Sequence, residues 1–189
     1  MVALMPDLGA GEYLNGSRDT GLDYHAARIL LLVAAFSYQK RKGIDGLTKL
    51  AKLDFLLRYP VMMERLALVE SNETPPDHLR ATDEERLAVE SRMIRYKFGP
   101  WDDRYYPILG MLIGTDLVRS SGGKGRLRMS VTGDGKRAAS QLAALPTWRL
   151  TAARCEYIAT NFNTTGNRLK DLIYENLPDV VDRPHRTYI

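Results

Sequence analysis

Apolar residues along this chain fall into groups at helical spacing, broken by glycine, proline and short polar loops, with one interval of strict alternation past the middle. From Ala26 to Lys40 almost every position up to Phe36 is apolar, which predicts a helix surrounded by others rather than one lying on a surface. The run Gln39-Lys40-Arg41-Lys42-Gly43 closes it with cations, favoured at the negative end of a helix dipole, and a glycine that can turn the chain. Leu47, Leu50, Leu53 and Leu57 predict a second helix with Lys49 and Lys52 facing outward, broken or kinked at Pro60. An amphipathic turn from Val61 to Val69 and a loop from Ser71 to Asp77 follow. Thr82-Asp83-Glu84-Glu85 then has the form of a capping box.

The middle of the chain, Tyr96 to Val131, reads as one strand, one helix and a two-stranded hairpin. The helix opens after Gly99-Pro100, where Asp102 and Asp103 suit free amides and the positive end of the dipole. Ile108, Met111 and Leu112, widened by Leu109 and Ile113, predict its buried face. Leu117-Val118 starts a strand, Ser120 to Gly125 supplies a turn, and Leu127, Met129 and Val131 alternate with Arg126, Arg128 and Ser130. That pattern predicts a hairpin with one buried and one basic face. Thr132 is placed to cap the following helix, Gly135 to Leu145. These elements predict a mainly α chain with a small β-wing, built on a winged helix-turn-helix core.

After Pro146, a helix capped at Thr147 and running to about Asn161 is expected, then a short one from Asn167 to Asn176 that stops at Pro178. Two such helices exceed what a winged helix needs and offer a surface for a partner. The expected organisation is a flexible arm over residues 1–23, a winged-helix domain over 24–145, a C-terminal helical extension over 146–181 and a tail over 182–189.

Charge sharpens the picture at one place. Between Val118 and Arg137 six basic residues face one acid, a local charge of +5 in a chain of net +4, so the remainder sums to −1. A basic wing carrying Arg119, Lys124, Arg126 and Arg128 suits phosphate or an acidic protein surface, and equally a solvated hairpin. The acidic opening of the third helix, Asp102 and Asp103 against Arg104, would repel a phosphate backbone and disfavours base reading by that helix. Catalysis finds no support: no nucleophile sits with a base, Gly122-Gly123-Lys124-Gly125 lacks the spacing of a phosphate-binding loop, and Cys155 reads as packing. One cysteine and three scattered histidines exclude an internal disulfide and give no metal-ligand set; no cofactor or small-molecule substrate is expected. No segment is apolar and long enough to span a bilayer and the amino terminus lacks a leader pattern, so a cytoplasmic protein is expected.

Three stretches carry a resemblance. Leu30-Leu31-Leu32 with Gly46 to Pro60, Tyr96 to Trp101 with the following helix and Leu117-Val118, and Gly166 to Tyr174 with Pro178 together look like the small middle subunit of prokaryotic ABC-three-component conflict systems, the group that includes the small subunit of Lamassu anti-phage defence. The resemblance implies a non-enzymatic adaptor that joins an SMC or Rad50-like ATPase to an effector, commonly a nuclease, and restrains it until DNA is sensed. It implies Trp101, Tyr105 and Tyr106 as partner contacts where they are exposed, core packing being the other role for Trp101. On this view the wing arginines meet DNA held by the ATPase or an acidic face of a partner. Other readings of the same residues are a winged-helix transcription regulator and an antitoxin.

Overall fold

The computed structural model describes residues 21–39, 42–87, 94–96, 99–122 and 127–178. Within them the chain is mainly helical. A central helix α1 (Leu22–Ser37) leads through β1 (Ile44–Asp45) to α2 (Leu47–Arg58) and α3 (Pro60–Ser71). A 3-10 turn (Asp77–Leu79) and α4 (Asp83–Leu87) precede the short hairpin β2 (Ile94–Tyr96) and β3 (Gly99–Trp101). Then come α5 (Tyr105–Gly114), the hairpin β4 (Val118–Ser121) and β5 (Arg128–Val131), and α6 (Gly133–Ala144), α7 (Pro146–Asn161) and α8 (Gly166–Asn176). The expected arm falls outside the described residues up to Thr20, and α1 takes in Leu22 and Asp23; the expected tail lies outside them entirely.

The core sits around α1, which is buried continuously from His25 to Ser37 because its apolar residues occupy every side. A single cluster joins α1 to Leu50, Leu53, Phe55 and Leu56 of α2, to Ile108 and Leu112 of α5, and to Ile158, Leu169 and Ile173 of the last two helices. The helices α7 and α8 therefore contribute to the same apolar interior as the rest of the chain.

Three strands form an antiparallel sheet in the order β1-β5-β4, with Ile44 opposite Met129 and Val118 opposite Val131. The sheet is joined to the body by Ser37, whose hydroxyl donates to the Val33 carbonyl and accepts from the Val131 amide. Met129 and Val131 point inward as the alternation predicts, while Leu127 remains exposed and Ser130 is buried. Two glycines permit this close approach. Gly43 holds φ +103, and a Cβ there would stand 2.3 Å from the Met129 carbonyl oxygen. At Gly135 a Cβ would stand 1.9 Å from the Leu117 carbonyl oxygen.

Local signals were met closely. The Thr82 amide donates to Glu85 and the Glu85 amide to Thr82, the reciprocal pair of a capping box. Thr132 caps α6 through the Gly135 amide. Pro60 breaks the helix as expected: α2 ends at Arg58, and Pro60 opens α3 as its first residue, where its missing N–H costs nothing. Three expectations need correction. Ile113, expected on the buried face of α5, is 40% exposed, because the inward side of that helix is centred on Tyr105 and Leu112 and Ile113 falls at its edge. The cap of α7 is Leu145, with Pro146 beginning the helix before Thr147. Lys49 and Lys52 face inward, because α8 and the turn before it cover that side of α2. Lys49 donates to Asn163 at 3.2 Å and lies over the Phe36 ring, and Lys52 donates to the Thr48 carbonyl.

Candidate partner-contact surface

The exposed face of α5 is positioned by a buried polar network behind it. Asp54 of α2, fully buried, accepts two bonds from Arg28 of α1, at 2.7 and 3.0 Å, and one from the Tyr105 hydroxyl at 2.8 Å. Burial alone would raise the Asp54 carboxyl, but the Arg28 charge and its bonds outweigh that and hold it below its ordinary value. One turn earlier on α1, His25 lies between two guanidiniums, Nδ1 at 2.7 Å from Arg28 and Nε2 at 2.5 Å from Arg104. Burial, then the charges of Arg28, Arg104 and Arg58, bring its pKa down from 6.5 to about 3, so the ring is neutral at pH 7.

The second carboxylate, Asp102, precedes α5. It accepts from the Arg104 amide and side chain and from Arg58 at 3.0 Å. Burial would raise this carboxyl too, and the bonds from Arg104 outweigh it and lower the pKa. The acidic helix start thus serves internal pairing. Asp102 is buried, and the charge expected to repel phosphate is largely spent on Arg58 and Arg104. Asp103 remains exposed and accepts from the Trp101 indole N–H at 3.0 Å.

The three aromatic candidates separate. Tyr105 is 0% exposed and belongs to the core, so the exposure required of a contact residue is not met there. The reason is geometric: it begins α5 on the side turned to α2, where its hydroxyl completes the Asp54 site. Tyr106, the next residue, is 62% exposed. Trp101 is half-buried between them, edge-on to Tyr105 with centroids 5.6 Å apart and tilted against Tyr106 at 6.0 Å. It carries the core outward to the surface.

The outward face of α5 continues from Tyr106 and Pro107 through Gly110 to Ile113, which is 40% exposed, and Gly114. Positions 106, 110, 113 and 114 share one side of a helix. Apart from the Tyr106 hydroxyl, no side chain on that face donates or accepts a hydrogen bond, and residues 105–115 include no charged residue.

On the sheet, Arg119 of β4 donates to the Ser130 hydroxyl at 3.2 Å and Arg128 of β5 donates to Asp45 at 2.7 Å, across the β1–β5 pairing. Both arginines are exposed. Lys124 and Arg126 lie outside the described residues. Among the described residues, no group of three or more His, Cys, Asp or Glu side chains is placed to hold a metal ion. Cys155 is buried, and burial pushes its thiol well above the ordinary value, leaving it unreactive packing. No described helix is long and apolar enough to cross a membrane.

The sequence reading missed the network itself, although it left a signal. Arg28 and His25 interrupt the apolar run of α1 three residues apart, and Asp54 interrupts the leucines of α2. No protein-family model matches this chain, and no curated protein or solved structure matches it either.

Proposed function

We propose that this chain is a non-enzymatic adaptor subunit of a heteromeric complex, a winged helix extended by helices, which joins an SMC or Rad50-like ATPase to an effector in a bacterial anti-phage or anti-plasmid defence system. Support for the winged helix comes from chain order. A helix, a short strand and a second helix precede α5 and the β4–β5 hairpin, the sheet runs β1-β5-β4, and α3, α4 and β2–β3 are inserted before α5. The helix that would read DNA in such a fold is α5.

One observation carries the functional reading. The outward face of α5 is apolar and uncharged, with Tyr106 and Ile113 standing into solvent. Base edges are read by hydrogen-bonding side chains, commonly Arg, Lys, Asn and Gln, and none of these lies on α5. An exposed aromatic beside an aliphatic residue and glycines suits burial against another protein. The wing arginines add a basic edge, suited to an acidic partner surface or to sequence-independent phosphate contact.

Affinity purification of the chain expressed with its native gene neighbours, followed by mass spectrometry and sizing, tests this. Recovery with a coiled-coil ATPase and a second, effector subunit is the expected result. Recovery alone as a homodimer that selects one palindromic DNA over scrambled sequence overturns it in favour of a transcription regulator.

A further inference from the structure

A hollow of about 470 Å³ opens where the end of α2 meets the start of α3, closed on its other sides by α1, α4 and α7. Its lining has an unusual concentration of guanidiniums: Arg28, Arg58, Arg86 and Arg154, against the carboxylates of Glu84 and Glu85. Arg28 and Arg154 are each only 4% exposed. Their partners hold them in place without using all their donors.

A guanidinium has five N–H groups. Arg28 spends two on the oxygens of Asp54 and turns one Nη1 donor towards His25 Nδ1, which leaves at least one on each terminal nitrogen. Arg154 spends four, on the carbonyls of Leu79 and Arg80 and on both oxygens of Glu85, which leaves one on Nη1. Arg86, at the rim, has one bond to Glu64 and four donors left. A buried donor without an acceptor costs free energy, so acceptors brought into this hollow are favoured.

The start of α3 adds to this. Its N-cap, Tyr59, makes no side-chain bond to the helix amides, and Pro60 has no N–H, so the first amide of α3 belongs to Val61, a residue that lines the same hollow. Glu85 is already bound through both oxygens by Arg154. The walls are completed by Tyr24 and Tyr59, which suit a flat or apolar group attached to the anion.

We infer that this hollow is a binding site for a small ligand carrying an oxyanion, a phosphate or a carboxylate, held by Arg28, Arg86, Arg154 and the first amide of α3. The inference is independent of the adaptor reading, since it rests on the hollow alone. The size admits a molecule up to about that of a mononucleotide or an amino acid, within the usual range of ligand pockets.

The test is a titration of the full ¹⁵N-labelled chain, followed by amide NMR, with inorganic phosphate, adenosine monophosphate and glutamate, each against sodium chloride of equal ionic strength. Saturable shifts at Val61, Met62 and Thr151 are expected with at least one of them. Response to phosphate and the nucleotide identifies a phosphate site, and response to glutamate alone a carboxylate site. Arg86→Gln, at an exposed position, is expected to weaken binding at least fivefold without lowering Tm, with partial recovery in Arg86→Lys. Thr151→Asp, which places a carboxylate in the hollow, is expected to abolish it. Absence of saturable shifts with all three probes, or shifts that survive both Arg86→Gln and Thr151→Asp, overturns the inference.

Discussion

The Tyr105 hydroxyl donates to the Asp54 carboxylate at 2.8 Å in a site where both residues are fully buried, tying the first turn of α5 to the middle of α2. Arg28 approaches the same carboxylate from α1, so three helices meet on one buried charge. The outward phase of α5 follows from this attachment. With Tyr105 turned inward, Tyr106 lies roughly 100° further round the helix and faces solvent.

Removing members of this network should have graded effects. Tyr105→Phe keeps the ring and deletes one donor, for an expected loss of about 1 to 2 kcal/mol in urea denaturation. Asp54→Ala leaves the Arg28 guanidinium buried without its carboxylate, and a loss of about 3 to 5 kcal/mol is expected. Replacing both partners together, Arg28→Met with Asp54→Leu, should cost less than the two single changes added. An additive result would mean that the two side chains do not act as a pair.

Acid should weaken the fold in two stages. Between pH 7 and 3 the unfolded chain protonates His25 at its ordinary 6.5, while the folded ring resists to about 3. The unfolded state then binds more protons, so stability falls as pH drops, by about 2 kcal/mol between pH 7 and pH 5. His25→Gln should flatten that slope when stability is measured by denaturant at each pH. Asp54 and Asp102 have folded pKa values below their ordinary 3.8, so their contribution is complete above about pH 4 and is lost as pH falls through the lowered values. Near-neutral unfolding with an unchanged slope in His25→Gln would place the early stage elsewhere.

The junction between the β4–β5 hairpin and the body should be sensitive to a single methyl group. A Cβ on Gly135 would lie 1.9 Å from the Leu117 oxygen and 3.2 Å from the Val131 side chain, in contact with backbone that cannot rotate away. Gly135→Ala improves helix propensity in isolation. Overpacking should nevertheless dominate, with a loss of about 2 to 3 kcal/mol in Tm-based or denaturant measurements. A stabilised variant would show that α6 can move away from the sheet.

Local features were readable from the sequence and distant ones were not. The capping box at Thr82 and Glu85 and the Thr132 cap lie within three residues, and their chemistry specifies the partner. The central role of α1 is visible because apolar residues occupy nearly every position from Ala26 to Phe36. By contrast Arg58 meets Asp102 across 44 positions, so two acids at a helix start read as caps alone, when one of them accepts the Arg104 amide and is also an internal ion-pair partner. Lys49 and Lys52 looked like a solvated face because the cover comes from α8 and its preceding turn, a hundred residues further on by order of magnitude. Tyr105 and Tyr106 are the same residue type side by side, and only the packing of α5 on Asp54 distinguishes a core tyrosine from a surface one. Of the candidate contact surface, Tyr106 and Trp101 stay at or near the surface and Tyr105 does not.

That distinction supplies the most direct check on the adaptor reading. Tyr106 and Ile113 project from α5 without supporting the core, so Tyr106→Asp and Ile113→Asp should change stability by less than about 1 kcal/mol, as surface substitutions do. In the co-purified complex each should weaken partner retention at least tenfold, because a carboxylate buried in an apolar contact is desolvated without compensation. Charge reversal at Arg119, which among the described residues bonds to Ser130 alone, separates the β4–β5 hairpin from the helix. If Arg119→Glu reduces retention at low salt alone, the hairpin meets its partner by charge and α5 by packing. Full retention in Tyr106→Asp and Ile113→Asp would remove α5 from the interface and leave the adaptor reading without its main support.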